Sequence, residues 1–343
     1  MREISTASLF TGGFASFKYM LDRLCIKHSV EFCCELMKPQ RDCYELNYGK
    51  PKEWFVDITE SNFSKYFGKI DLLQASPVCK SWSMAGNRKG LDSDDGMLMY
   101  KTIEAIASIQ PKVFIVENSA SLMSVNNGRD WDLILQQFNK LKGYTISYGK
   151  MNEKNYGIPQ NRNRLFIVGF RASTYSFNFP SSIPLKLCTK DLLEDNVSEK
   201  YNISETMLKG FKAHAKRHKE RGNGFGMKVM DVNRVCGAIS TKCGTRATDP
   251  FVDRNQFNKG ARERITKLTP REQARIMGDT EDKFKFGNFS DSKLSEFIGN
   301  AIGLGTMEHL LKSILKEYEA TEFRDPIKQS LDPMEPVEEK RLF

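Results

Sequence analysis

Through the first 170 residues, short apolar, β-branched runs alternate with amphipathic stretches of helical period. This alternation constrains the fold more than any other feature of the chain. Ile4 to Phe10, Ser29 to Glu35, Asp71 to Ala75 and Val113 to Glu117 read as strands, and Phe14 to Ile26, Pro39 to Tyr48, Met97 to Ile109 and Trp131 to Leu141 as helices. Tyr144 to Lys150 and Arg164 to Phe170 read as a closing pair of strands. The pattern predicts an α/β fold, a doubly wound, mainly parallel sheet with helices on both faces. Such sheets bind their ligands at the carboxyl ends of the strands.

After Phe170 the character changes. Residues 171–265 are rich in Gly, Asn, Ser and Thr, carry a dense basic stretch from Lys209 to Lys228, and read as a smaller, irregular second domain. From residue 266 helices return. Thr269-Pro-Arg-Glu272 is a capping box with Pro at the first helical position, and an amphipathic helix is predicted over Glu296 to Lys316. Residues 317–343 read as a polar tail.

No stretch approaches the ~18 consecutive apolar residues of a membrane span, and the start, MREISTASLFTGGF, lacks the apolar run of a signal peptide. A cytosolic (cytoplasmic) or nuclear protein with no membrane partner is expected. The eight cysteines show no C-x-x-C pair and no His at ligand spacing, so neither a metal centre nor a disulfide framework is expected.

Three segments carry chemistry. Gln74 to Gly86 follows a strand and puts Cys79 in a loop at that strand's carboxyl end. A lone cysteine is usually apolar filler, but here two neighbours at the same sheet edge argue otherwise. Phe114 to Ser119 is an apolar strand ending in Glu117-Asn118, and Tyr156 to Arg164 ends in Arg162 and Arg164, two apart and therefore on one side of a strand.

Taken in order, these segments resemble the C5-cytosine DNA methyltransferases, from Ser8 to about Ile302. Ser8-Leu-Phe-Thr-Gly12 resembles the opening cofactor loop, and Pro77-Val-Cys79 with Ser81-Trp-Ser-Met-Ala-Gly86 the catalytic loop. Glu117-Asn118 resembles the assisting acid, and Tyr156-Gly-Ile-Pro-Gln-Asn-Arg-Asn-Arg164 is very close to the family pattern. Leu268 to Gly278 resembles the helix after the recognition region, and Gly299-Asn300-Ala-Ile302 the final cofactor-side turn. Val78 and Lys80 stand where the family has Pro and Gln, Ser8 where it has an acid, and Phe14 and Ala15 where it has glycines.

The resemblance implies a Rossmann-like, S-adenosylmethionine-dependent fold with a target-recognition domain, and transfer of a methyl group to a cytosine flipped out of a specific duplex DNA sequence. It assigns catalysis to Cys79, Glu117, Arg162 and Arg164, with Cys79 attacking C6, Glu117 assisting at N3, Arg164 holding O2 and Arg162 supporting the loop or a phosphate. It assigns the cofactor to Phe10, Thr11, Gly12, Glu35, Leu36, Asp57, Ile58, Pro77, Leu98, Asn300 and Ala301. It assigns DNA contacts to Lys80, Ser83, Arg88, Lys89, Arg221, Ser240 and Lys242, with residues 80–96 closing as a lid. A monomer is implied, with a cognate restriction endonuclease encoded nearby but not a stable subunit. A tRNA cytosine-5 methyltransferase and a catalytically silent DNA-binding regulator remain open as alternatives. A dinucleotide oxidoreductase is disfavoured, because no G-x-G-x-x-G follows the first strand.

Charge agrees with a polyanionic partner. The chain's net charge is +9, and residues 171–260 alone contribute +7, as a DNA-facing region would.

Overall fold

The structure, a computed structural model, describes residues 2–79, 82, 90–171, 176–223, 226–227, 229–256 and 264–322. The strands are β1 (Ile4–Leu9), β2 (His28–Cys34), β3 (Trp54–Phe55), β4 (Leu72–Ala75), β5 (Val113–Ser119), β6 (Tyr144–Asn152), β7 (Gln160–Asn161), β8 (Asn163–Arg171), β9 (Cys236–Gly237), β10 (Phe251–Asp253) and β11 (Ile265–Lys267). The helices are α1 (Ser16–Arg23), α2 (Lys38–Tyr48), α3 (Asp94–Ile109), α4 (Arg129–Asn139), α5 (Glu205–Glu220), α6 (Pro270–Ile276), α7 (Asp291–Asn300) and α8 (Leu304–Glu322).

Seven strands form one sheet in the order β3-β2-β1-β4-β5-β8-β6. The first five lie parallel, and β8 runs antiparallel to both of its neighbours. Strand residues alternate between two cores, as a period of two requires. Leu72, Ile115 and Phe166 pack on one face with α1 and α6 to α8, whereas Leu73, Phe114 and Leu165 pack on the other with α3 and α4. From β1 the chain moves out to β2 and β3, then returns to place β4 on the opposite side of β1. The loops after β1 and β4 therefore diverge from one crevice, the place where open α/β sheets bind ligands.

Local signals explain several boundaries. The predicted capping box is formed, with Thr269 Oγ1 accepting from Glu272 N and Glu272 Oε2 accepting from Thr269 N at 2.9 Å. Ser93 caps α3, which starts three residues before the predicted Met97 and so shortens the expected lid segment. Of that segment, residues 80, 81 and 83–89 lie outside the described residues.

Three expectations are corrected. The basic stretch after Lys209, expected to be irregular, begins inside α5, a helix capped by Ser204 with none of its residues fully buried. The helix predicted over Glu296 to Lys316 is two helices, because Ala301 is extended (φ −71°, ψ 158°) and ends α7. The tail expected from Glu317 is helical through Glu322; residues 323–343 lie outside the described residues.

Ala15, at a position where the resemblance expects glycine, adopts the left-handed conformation at φ +45° while 6% exposed. Backbone strain of that kind costs an L-residue about 1–2 kcal/mol. The substitution Ala15→Gly is accordingly expected to raise the unfolding free energy by about 1 kcal/mol, read as a higher urea midpoint at unchanged slope.

Candidate active site and cofactor pocket

Cys79 lies four residues past β4, half-buried, with a free thiol. Its loop is pinned from both sides. Asn118 Nδ2 donates to the Pro77 carbonyl at 3.0 Å, and Trp82 N donates to the Cys79 carbonyl at 3.1 Å. Trp82 is itself completely buried, with its indole Nε1 donating to Asp130 Oδ2 at 3.2 Å and its carbonyl accepting from Ser121 Oγ. Asp130 Oδ2 also accepts from Leu91 N at 3.1 Å, so one carboxylate in the first turn of α4 anchors both Trp82 and Leu91. Lys80, Ser83, Arg88 and Lys89 lie outside the described residues.

Glu117 sits in β5 opposite Phe166, and Arg164 in β8 opposite Ser119. This antiparallel register brings Arg164 Nε to 2.9 Å from Glu117 Oε1. Burial pushes the Glu117 carboxyl above the ordinary carboxylate range, while Arg164, Arg162 and a hydrogen bond from Ser76 pull the other way. A chain of polar side chains leads to it: Ser8 Oγ donates to Gln74 Oε1, and Gln74 Nε2 donates to Ser76 Oγ, each at 2.7 Å. A buried acid of raised pKa is suited to hold a proton for a base ring.

Arg162 is placed differently from Arg164. It is 3% exposed, and its guanidinium donates to the carbonyls of Ile239 (3.0 Å), Gly299 (2.9 Å) and Ala301 (2.7 Å). Burial and the neighbouring Arg164 cation lower its pKa to about 9. These three acceptors are backbone carbonyls, one beyond β9 and two at the end of α7. Its Nε has no hydrogen-bond partner among the described residues.

The loop after β1 forms the second half of the crevice. Phe10 (φ +55°) and Gly12 (φ +69°) are both left-handed, and a Cβ at Gly12 would meet nothing within 4 Å, so this backbone borders open space. Thr11 is buried and donates to the carbonyls of Ser8 and Cys34. Glu35, just past β2, accepts from Gly12 N at 2.9 Å and from Met37 N at 3.0 Å, and burial raises its carboxyl. Leu36 beside it is 60% exposed, an apolar side chain left uncovered. Asp57 Oδ1 accepts from Thr59 N and Thr59 Oγ1; Ile58 is buried, Leu98 half-buried and Pro77 buried. Asn300, exposed, ends α7, and half-buried Ala301 follows. Ser16 Oγ donates to the Ile302 carbonyl, which ties this turn to the loop after β1. A carboxylate at one strand end, an open glycine and an exposed apolar wall fit the ribose and adenine of S-adenosylmethionine.

Of the expected DNA contacts, Arg221 follows α5 and is exposed, Lys242 is exposed, and Ser240 Oγ donates to Asp249 Oδ1 at 3.1 Å. Sequence reasoning missed Gln160 and Glu153. Gln160 is fully buried. Its Nε2 donates to the Ile276 carbonyl at 2.7 Å and its Oε1 accepts from Ile239 N, while β7 pairs in parallel with β9. Glu153 is 1% exposed, burial pushing its carboxyl up to about 7. Both lie in or beside the Tyr156 to Arg164 segment, where a polar residue reads as exposed unless its partners are known.

The sequence profile described as C-5 cytosine-specific DNA methylase matches residues 4–316. The type II methyltransferase M.HpaII of Haemophilus parainfluenzae is 31% identical over 320 residues, covering 89% of this chain and 87% of that protein. M.DsaV of Dactylococcopsis salina, also a type II methyltransferase, is 29% identical over 317 residues, covering 91% and 87%. Among solved structures, the S. pombe Dnmt2 methyltransferase superposes with a TM-score of 0.70 at 15% identity, covering 92% of this chain and 99% of that one. An E. coli prophage-encoded putative DNA modification methyltransferase gives 0.64 at 18%, covering 91% and 99%. The two structures share the fold; the profile match, running from β1 to α8, goes further and makes this chain a member of the C-5 cytosine-specific DNA methylases, an S-adenosylmethionine-dependent DNA cytosine-5 methyltransferase.

Proposed function

We propose that this chain methylates C5 of a cytosine flipped out of a short specific DNA sequence, through a covalent bond between Cys79 and C6. The observation that supports this most is the convergence of Cys79, Glu117 and Arg164 at the carboxyl edge of the sheet, beside the open loop at Gly12. Cytosine C5 is too weak a nucleophile to accept a methyl group unaided. Attack of Cys79 Sγ on C6 pushes the ring electrons toward C5, and Glu117 supplies a proton at N3, so that charge does not build on the ring. Arg164 holds the O2 edge and keeps Glu117 in place. When bound, S-adenosylmethionine would supply the methyl group; Glu35 would serve its ribose, Asp57 its adenine amino group, and Phe10, Leu36, Ile58 and Leu98 would be its apolar walls. Loss of the C5 proton to solvent then expels Cys79 Sγ as a thiolate, and N3 returns its proton to Glu117, which restores the ring.

Residues 171–265 act as the target-recognition domain. Its positive charge offsets DNA phosphates, and Arg221, Ser240 and Lys242, together with Lys80, Ser83, Arg88 and Lys89, contact the duplex. The relatives are type II methyltransferases, which favours an enzyme of a restriction-modification system; we take it to act as a cytoplasmic monomer with a separately encoded endonuclease. The family match and these relatives favour DNA over tRNA, and the assembled Cys79, Glu117 and Arg164 set argues against a silent regulator.

Trapping tests the reading. A duplex carrying 5-fluorocytosine at the target, incubated with S-adenosylmethionine, should yield an adduct at Cys79, because fluorine cannot leave C5 as a proton does. Bisulfite sequencing of plasmid from expressing cells should locate one short methylated motif. Absence of both adduct and 5-methylcytosine on every DNA tried, or adducts on tRNA alone, would overturn it.

A further inference from the structure

The joint between α7 and α8 is closed by two buried side chains of opposite charge, both from the segment that leads to Arg164. Arg162 donates to the carbonyls of Gly299 and Ala301 at the end of α7. Glu153 accepts from Gly305 N at 3.0 Å and from Thr306 N at 3.2 Å, and from the Thr306 hydroxyl, at the start of α8. A helix leaves its last carbonyls and first amides unsatisfied, with a partial negative charge at its end and a positive one at its start. Each buried charge is therefore matched to the terminus it serves. The two are joined directly, since Glu153 N donates to the Arg162 carbonyl at 3.2 Å.

The glycines of the turn make room for the acid. A Cβ at Gly303 would lie 2.1 Å from Glu153 Cδ, and one at Gly305 would lie 2.5 Å from the Tyr156 carbonyl oxygen and 2.9 Å from Glu153 Oε2. Between the two clamped helix ends lie Ala301 and Ile302, the latter bonded through its carbonyl to Ser16 beside the cofactor loop. Two residues beyond Arg162, Arg164 holds Glu117. One continuous run of contacts thus joins the cofactor side of the crevice to the base side.

We propose that Glu153 is a positioning residue that, with Arg162, fixes the turn at Ala301 and Ile302 against the base-binding segment and so couples cofactor binding to target binding. The proposal rests on the cofactor reading given above. A peripheral cap would affect folding alone, whereas this clamp lies between two ligand sites and affects their linkage.

The test uses the full chain, with S-adenosylmethionine affinity measured by titration calorimetry and duplex affinity with and without S-adenosylhomocysteine, at a temperature well below the unfolding midpoint. The wild-type chain is expected to bind duplex at least about fivefold more tightly with the cofactor product present. Glu153→Ala is expected to weaken S-adenosylmethionine about tenfold or more and to bring that coupling ratio close to one, with duplex affinity alone unchanged. Thr306→Val, which removes one donor at nearly constant volume, should move both quantities the same way by a smaller factor, and Glu153→Gln should recover part of the loss. A lowered unfolding midpoint with cofactor affinity within twofold and an intact coupling ratio, for both Glu153→Ala and Thr306→Val, would reduce Glu153 to a structural cap and overturn the clamp alone. A wild-type ratio of one overturns the coupling. A wild-type chain that binds no S-adenosylmethionine overturns the cofactor reading together with the clamp.

Discussion

Replacing Cys79 with Ala is expected to lower methyl transfer on the order of 10⁴-fold or more and to abolish the 5-fluorocytosine adduct, while both ligands still bind. The loss is large because no other described thiol can substitute. Cys33, Cys34, Cys43, Cys236 and Cys243 are buried, and burial raises the pKa of each; Cys25 lies in the connection that enters β2 and Cys188 in the segment between β8 and α5, neither in a loop that leaves a parallel strand at its carboxyl end as Cys79 does. Groups that act as a unit lose nearly the whole effect when one member is removed. Single-turnover transfer from labelled S-adenosylmethionine measures the rate, and gel-shift titration measures retained duplex binding. Because the Cys79 loop is held by backbone acceptors, the Cys79 carbonyl accepting from Trp82 N and the Pro77 carbonyl from Asn118 Nδ2, the alanine variant should fold with an unchanged midpoint. Substantial transfer by Cys79→Ala would remove covalent catalysis from the mechanism.

The second large effect concerns Glu117. Glu117→Gln is expected to slow the chemical step by about 10²–10⁴-fold, the range for loss of a positioned proton donor. Its pH profile carries more information. Burial raises the Glu117 carboxyl above its ordinary value, so the protonated form persists toward higher pH than for a free carboxylic acid. The rate should be supported below that raised pKa and fall as pH climbs through it, and Glu117→Gln should lack this falling limb. Arg164 is the largest influence opposing burial, so Arg164→Leu leaves burial opposed only by Arg162 and Ser76 and moves the limb to higher pH, besides weakening the hold on the base. A limb that moves to lower pH in Arg164→Leu would show that some other group governs proton donation.

The alternation of apolar runs was enough to place β1, β2, β4, β5 and the antiparallel pair at the sheet's far edge, since buried strands and amphipathic helices leave unlike periods. It missed β3, whose two residues are too few to show a period. It missed α5 because that helix packs only shallowly, with Phe211 against Phe251, and its exposed lysines dominate the composition. The break between α7 and α8 was hidden because Ile298, Ile302, Leu304 and Met307 are all buried. Apolar spacing therefore continues through a turn that only Arg162 and Glu153 reveal. The site shows the same division. Cys79 and Glu117 were legible from the loops and strand ends that carry them, whereas Glu153 and Gln160 act through partners more than a hundred residues away.

Asp71, at the base of β4, gathers the two extremities of the described chain. Arg2 and Tyr318 both donate to its Oδ1, at 2.9 and 2.8 Å, and Ser5 N donates to its Oδ2 at 2.8 Å. Tyr318 lies 247 residues further along the chain, and at roughly 5–20 residues per second a ribosome needs on the order of 10–50 s to make that stretch. During that interval the part of the sheet face that Leu310, Leu311 and Ile314 of α8 later cover has only α1 beside it. The nascent protein therefore carries an apolar sheet surface through most of its synthesis, and its dependence on chaperones should be decided by how soon α8 leaves the exit tunnel.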